Sequence, residues 1–158
     1  VMEHVEDVGA VIHRICVSLN ARGSYRFTCP NYLFPYEPHF NIPTLISKSL
    51  TERVFRKKIH RSKSVPDPGG VWNSLNWISV PKVRSIARSC NLNSVFFDKN
   101  MLSKMLSRAL YDPEFASRRS PFIVVFISIV VRLRLHKLAN FIPAVMQPVM
   151  DCTLAKRP

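Results

Sequence analysis

Apolar residues recur at Val8, Val11, Ile12, Ile15 and Leu19, the spacing of one face of a helix over 7–19. Asp7 is placed to cap its start, and Asn20, Ala21, Arg22 and Gly23 to end it in a glycine turn. Tyr25 to Cys29 then alternates aromatic and polar residues, which predicts a short strand stopping at Pro30. Residues 30–43 hold four prolines among Tyr32, Phe34, Tyr36, His39 and Phe40. Such a run is too broken for a helix and too aromatic for a loose linker, so it reads as an ordered loop or lid. From Thr44, a potential cap, Leu45, Ile46, Leu50, Val54 and Phe55 mark a helix to about Lys58, and the turn-rich segment 64–70 breaks it. A helix over 81–90 with Ser79 at its cap, a turn at 91–93, a strand over 94–98 and a helix over 101–110 follow. The tail, 121–143, reads as helix although Ile123, Val124 and Val125 are β-branched.

Helix, turn and strand thus occur twice in that order, each time as half of a βαβ unit. If Val1 and Met2 end a preceding strand, the first unit is complete and the sheet is mostly parallel. A length of 158 residues suits one domain, and a hydrophobic share of 47% excludes a disordered or low-complexity chain. Four scattered cysteines with no CxxC pair argue against a disulfide framework or a cysteine zinc site and for a reducing, cytoplasmic setting. The opening at Val1, directly on a strand end, suggests a piece of a larger domain.

Charge adds a second theme. Lysine and arginine number 23 against 10 acidic residues, a formal net charge of +13. Lys48, Arg53, Arg56, Lys57, Lys58, Arg61 and Lys63 concentrate in one segment with Glu52 as its only acid. Such a face suits lipid or nucleic-acid phosphates, and equally a solvated helix surface. Phe55 alone offers a ring for base stacking there, which makes nucleic acid the weaker partner. The longest apolar run, 122–131, is ten residues, about 15 Å as a helix against a hydrocarbon core of about 30 Å. With Arg132, Arg134, His136 and Lys137 behind it, the tail has the pattern of a helix lying on the inner membrane face; a helix closing a larger core has it too.

Candidate chemistry gathers at two places. Glu3 and His4 lie between the expected strand end and the first helix, where α/β sheets bind ligands beyond the carboxyl ends of their strands. A carboxylate there binds a hydroxyl or a cation, and an imidazole accepts a proton near neutral pH. Glu37 and His39 sit in the proline-stiffened aromatic loop that leaves the next strand at the same edge. They suit a pocket that excludes water and deprotonates an acceptor; they also suit a loop that merely packs its rings on the core. No Ser-His-Asp set, HExxH, P-loop or metal-ligand spacing occurs, so no metal site is expected.

The run V-M-E-H-V-E-D, the helix, the turn at Arg22-Gly23 and the strand ending C-P-N resemble the second half of class I S-adenosylmethionine-dependent methyltransferases. That family has a strand followed by L-E-H-V-x-D, a helix, R-x-L-x-P-G-G and another strand. Leu19 to Gly23 keeps only one glycine of that turn, and Trp77-Ile78-Ser79 with the following helix and strand resembles the next unit, with Leu92 where the family has an aromatic. The resemblance covers residues 1–98. It implies an α/β fold, a partial Rossmann-like three-layer sandwich, with 99–158 as a helical C-terminal extension. It also implies S-adenosyl-L-methionine as cofactor, with Glu3 and His4 at its site. The implied catalytic residues are His39, Glu37 and His4, acting on a small acceptor, lipophilic ones included. The family's E/D-x-G-x-G-x-G cofactor loop does not occur in this sequence, so the chain alone is expected to be inactive. The alternative is a non-enzymatic basic module on an anionic membrane or nucleic acid.

Overall fold

The computed structural model describes residues 2–63, 65–96, 100–117 and 121–156. Helix α1 (Val8–Ser18) starts where Asp7 accepts a hydrogen bond from the Ala10 amide at 3.0 Å and buries Val8 and Ile12. Strand β1 (Ser24–Pro30) turns Phe27 and Cys29 into the core and Arg26 and Thr28 outward, the period-two alternation of a half-buried strand. Helix α2 (Lys48–His60) is capped by Ser47, which accepts from the Leu50 amide at 3.1 Å. Thr44, expected as the cap, instead donates its hydroxyl to the Phe34 carbonyl. A short helix the pattern missed, α3 (Pro68–Ser74), is capped by Asp67 and drives Trp72 fully into the core.

Helix α4 (Val80–Ser89) buries Val80, Val83 and Ala87 and ends at Asn91 in a left-handed conformation, φ 53°. Strand β2 (Leu92–Phe96) follows two residues earlier than expected; Phe97 and Asp98 of the expected strand lie outside the described residues. Helices α5 (Met101–Tyr111), α6 (Pro113–Ser117) and α7 (Pro121–Arg132) come next. Ala109, Ile127 and Val131 make a small core between α5 and α7, separate from the main one. Among the described residues no helix is long and apolar enough to cross a membrane.

Three expectations need correction. Met2–His4 is a turn of 3-10 helix, not a strand end; Val1 lies outside the described residues. The tail is not one helix: α7 stops at Arg132, Arg134 takes a left-handed φ of 59°, and 3-10 helix resumes over Leu135–Phe141. A single non-glycine residue at positive φ breaks the helical ladder and redirects the chain. Nor is the region beyond 98 helical throughout, because it ends in strand β3 (Val149–Lys156).

That strand changes the sheet. The order is β1-β3-β2, with β3 antiparallel to both neighbours, so the expected mostly parallel pairing is replaced by two antiparallel ladders among the described residues. β1 and β2 each follow a helix and run in the same direction, with β3 reversed between them. The reason is local: Met150, Cys152 and Leu154 alternate as fully buried residues, and Asp151 on the opposite face is held by the Arg26 guanidinium, whose Nε donates at 2.8 Å. An eight-residue strand at the far end of the chain is therefore the centre of the sheet.

Truncation at Leu154 should accordingly cost much more than truncation of an exposed tail ring. Leu154→Ala is expected to lower unfolding free energy by about 2–5 kcal/mol. Phe141→Ala, at a side chain 84% exposed, should stay within about 0.5 kcal/mol. Urea unfolding of the two variants reads the difference, and equal losses would contradict a central β3.

Candidate functional site

The site is built on the loop that leaves β1. Asn31 anchors its start, its side-chain amide donating to the Val145 and Gln147 carbonyls at 2.9 Å each, and the Tyr32 amide donates to the Ile78 carbonyl at 3.0 Å. Glu37 and Ile42 exchange backbone hydrogen bonds across the loop tip, with Asn41 at a φ of 50° making the turn. Phe40 and Ile42 plug the core. Residues 30–43 are thus an ordered loop, as the prolines and rings suggest.

Inside this loop the Glu37 carboxylate is fully buried. It accepts the Phe40 amide at 2.8 Å, the Tyr32 hydroxyl at 3.5 Å and the His39 Nδ1 at 2.6 Å. Burial and the adjacent Glu37 charge push the Tyr32 hydroxyl far up, which keeps it a donor. The hydrogen bond to Glu37 raises the His39 pKa above its ordinary value, burial opposes this, and the charges of Glu37 and Glu3 add to the rise. With Nδ1–H committed to Glu37, the lone pair of neutral His39 is on Nε2.

The second segment arrives from the chain's start. The Met2–His4 turn is pinned by Asn76, whose amide group donates to the Met2 carbonyl at 2.8 Å and the Val5 carbonyl at 2.7 Å while its backbone N–H donates to the Glu3 carbonyl at 2.7 Å. Glu3 is buried, and the His4 ring stands edge-on to His39 with centroids 5.5 Å apart. His4 Nδ1 lies 2.8 Å from Ser74 Oγ, and that hydroxyl donates to the Val71 carbonyl at 2.9 Å. Ser74 therefore accepts from His4 Nδ1–H, which leaves the His4 lone pair on Nε2 as well. One ligand atom each of Glu3, His4 and His39 lies within 4.8 Å of the others, the one group among the described residues with the composition to hold a metal ion.

All four residues singled out in the sequence, Glu3, His4, Glu37 and His39, come together. Tyr32, Ser74 and Asn76 were missed in their supporting roles. Tyr32 also lines an open apolar hollow of about 540 Å³ with Leu33, Pro35, Thr44, Leu45, Ile46 and Leu50. The basic segment is partly structural: Lys48 Nζ donates to the Asn73 and Leu75 carbonyls, and Lys58 Nζ to the Asn41 carbonyl behind the loop tip.

No protein-family model and no solved structure matches the chain. It is 49% identical over 157 residues to two Mycobacterium tuberculosis proteins, the uncharacterized protein Rv1509 of strain H37Rv and the uncharacterized protein MT1557 of strain CDC 1551. The match takes in 99% of this chain and 54% of each relative, so the chain spans about half the length of the curated relatives it matches.

The Glu37–His39 pair predicts a pH signature. A raised folded-state pKa adds stability that is fully present below the unfolded value of about 6.5 and is lost as pH rises through the folded value. The stability of the parent chain over Glu37→Gln should therefore shrink on going from pH 5.5 to pH 8.5. Urea midpoints across that range measure it, and a constant difference would show that His39 does not gain charge against Glu37.

Proposed function

We propose that the chain is the C-terminal part of a class I S-adenosylmethionine-dependent methyltransferase domain that methylates a small, lipophilic acceptor. The observation that carries this reading is the Glu37–His39 pair in the loop after β1, with the His39 ring edge-on to His4 of the Glu3–His4 turn. Two helix–strand units whose strands run in one direction support it, and so does the sequence resemblance over residues 1–98. The apolar hollow beside Tyr32 suits an acceptor with a hydrocarbon body.

When bound, S-adenosylmethionine supplies an electrophilic methyl group for in-line displacement at carbon. Glu3 and His4 are the residues of this chain placed to touch it; the glycine-rich part of its site is not in these 158 residues. His39 Nε2 takes the proton from the acceptor heteroatom, and Glu37 holds the ring and stabilises the imidazolium that forms. The buried Tyr32 ring, stacked at 4.5 Å on the half-buried Trp77, shields the Glu37 carboxylate from water. Alignment and proton removal, with no covalent intermediate, are what the chain contributes.

In a full-length protein carrying this sequence, His39→Ala should lower methyl transfer by about 10²–10⁴-fold with little change in the urea midpoint. A variant that loses stability but not turnover would reduce His39 to a packing residue. The isolated chain should bind S-adenosylmethionine no tighter than micromolar by calorimetry, and tight binding would contradict a cofactor loop outside it.

A second reading rests on α7. Phe122, Val125, Phe126, Ile129 and Leu133 form one exposed apolar stripe, with Phe122 at 82%, next to exposed Arg132 and Arg134. That combination fits an anionic membrane surface, which would bring a lipophilic acceptor to a cytoplasmic enzyme or serve as the partner of a non-enzymatic basic module. The chain should co-sediment with phosphatidylglycerol vesicles and release in high salt. Equal recovery in the supernatant with and without anionic lipid would discard the membrane.

A further inference from the structure

The two histidines of the crevice are prepared for more than proton transfer. Glu3 and His4 come from one end of the chain and His39 from the loop after β1, yet their ligand atoms converge within 4.8 Å. His4 Nδ1–H is spent on Ser74 and His39 Nδ1–H on Glu37, so both rings present Nε2 lone pairs. A carboxylate behind a ligating imidazole is the arrangement that fixes the tautomer and raises the basicity of metal-bound histidine. Glu37 fills that place for His39, and Asn76 holds the Glu3–His4 segment in position.

We propose that Glu3, His4 and His39 bind one divalent transition-metal ion, zinc by preference, and leave a coordination position open to an oxygen ligand. Two imidazoles and one carboxylate favour zinc, iron or cobalt over magnesium and calcium, which take oxygen ligands. Three protein ligands with a free fourth position are the composition of a catalytic rather than a structural zinc site. Ligand atoms about 2.1 Å from one tetrahedral ion sit about 3.4 Å apart, so the triad, now within 4.8 Å, draws together on loading. The Glu3 carboxylate offsets one unit of the ion's charge, and the Glu37 carboxylate behind His39 offsets the other.

Metal binding stands apart from methyl transfer, being read from the ligands alone. Its consequence for chemistry does rest on the methyltransferase reading. An ion on Nε2 occupies the lone pair that would take the acceptor's proton. A hydroxyl or enol oxygen bound in the open position is then acidified by the ion instead and releases its proton to bulk water. The loaded site would select oxygen acceptors.

The test uses the chain freed of metal by a chelator and titrated with zinc chloride in a calorimeter, with magnesium chloride as the contrast. One saturable equivalent of zinc and no magnesium binding at the same concentrations are expected. His4→Ala removes an exposed ligand, so the variant should fold with an unchanged circular dichroism spectrum and bind zinc at least tenfold more weakly. Glu37→Gln should cost about 10–100-fold through the ring it orients. His13→Ala and His60→Ala, at exposed histidines elsewhere, should leave affinity unchanged. Absence of saturable zinc binding, or a His4→Ala chain that binds as the parent does, would overturn the site. Either result would leave the His39 methyl-transfer assay to be decided by itself.

Discussion

The buried Glu37 carboxylate is the constraint on which the site depends. A charge with no exposure to water persists only where its oxygens are matched, and here the Phe40 amide, the Tyr32 hydroxyl and the His39 imidazole do the matching. Each match fixes part of the structure. The Phe40 bond closes the loop tip so that its ring packs edge-on against Trp72 at 5.6 Å. The Tyr32 bond ties the loop to the aromatic stack on Trp77. The His39 bond sets the direction of the ring and the location of its lone pair. One buried acid therefore converts a proline-rich loop into a rigid wall with a single reactive edge.

The main core and the small α5–α7 core divide the molecule's labour. The site rests on elements of the main core: β1, α3, the Ile78 carbonyl and the turn at Met2–His4. Strand β3 ties the two halves together, since the segment just before it receives the Asn31 side chain and the strand itself lies between β1 and β2. A strand eight residues long at one end of the chain thus sets the position of a loop more than a hundred residues away in sequence.

Much of the local structure was legible in the sequence. The apolar spacing in α1, the alternation in β1 and the prolines of the loop each act over a few residues, and each produced the expected element. Glu37 and His39 were legible as chemistry because their loop leaves a strand end; Glu3 and His4 were singled out for a strand end that is a 3-10 turn, and they reach the site because Asn76 holds that turn. What could not be read depended on distant partners. Met150, Cys152 and Leu154 alternate, but the pattern is short and interrupted by Asp151, whose burial makes sense only with Arg26 across the ladder. The break at Arg134 needs a left-handed residue where no glycine signals one. Ser74 and Asn76 carry no motif at all; they matter because α3 brings them under a turn seventy and more residues earlier. The absence of a metal-ligand spacing in the sequence has the same origin, since Glu3 and His4 meet His39 only in the folded chain.

The hydrogen bonds to Ser74 and Glu37 put the proton of His4 and of His39 on Nδ1 and leave the lone pair on Nε2. Long-range proton–nitrogen correlation spectra of the histidine side chains, recorded at high pH on metal-free protein, report that proton's location directly. The account predicts the Nδ1–H tautomer for His4 and His39, and loss of that preference at His4 alone in Ser74→Ala. Spectra showing the ordinary Nε2–H tautomer at His39 would mean that Glu37 does not orient the ring, and the site as described would not exist.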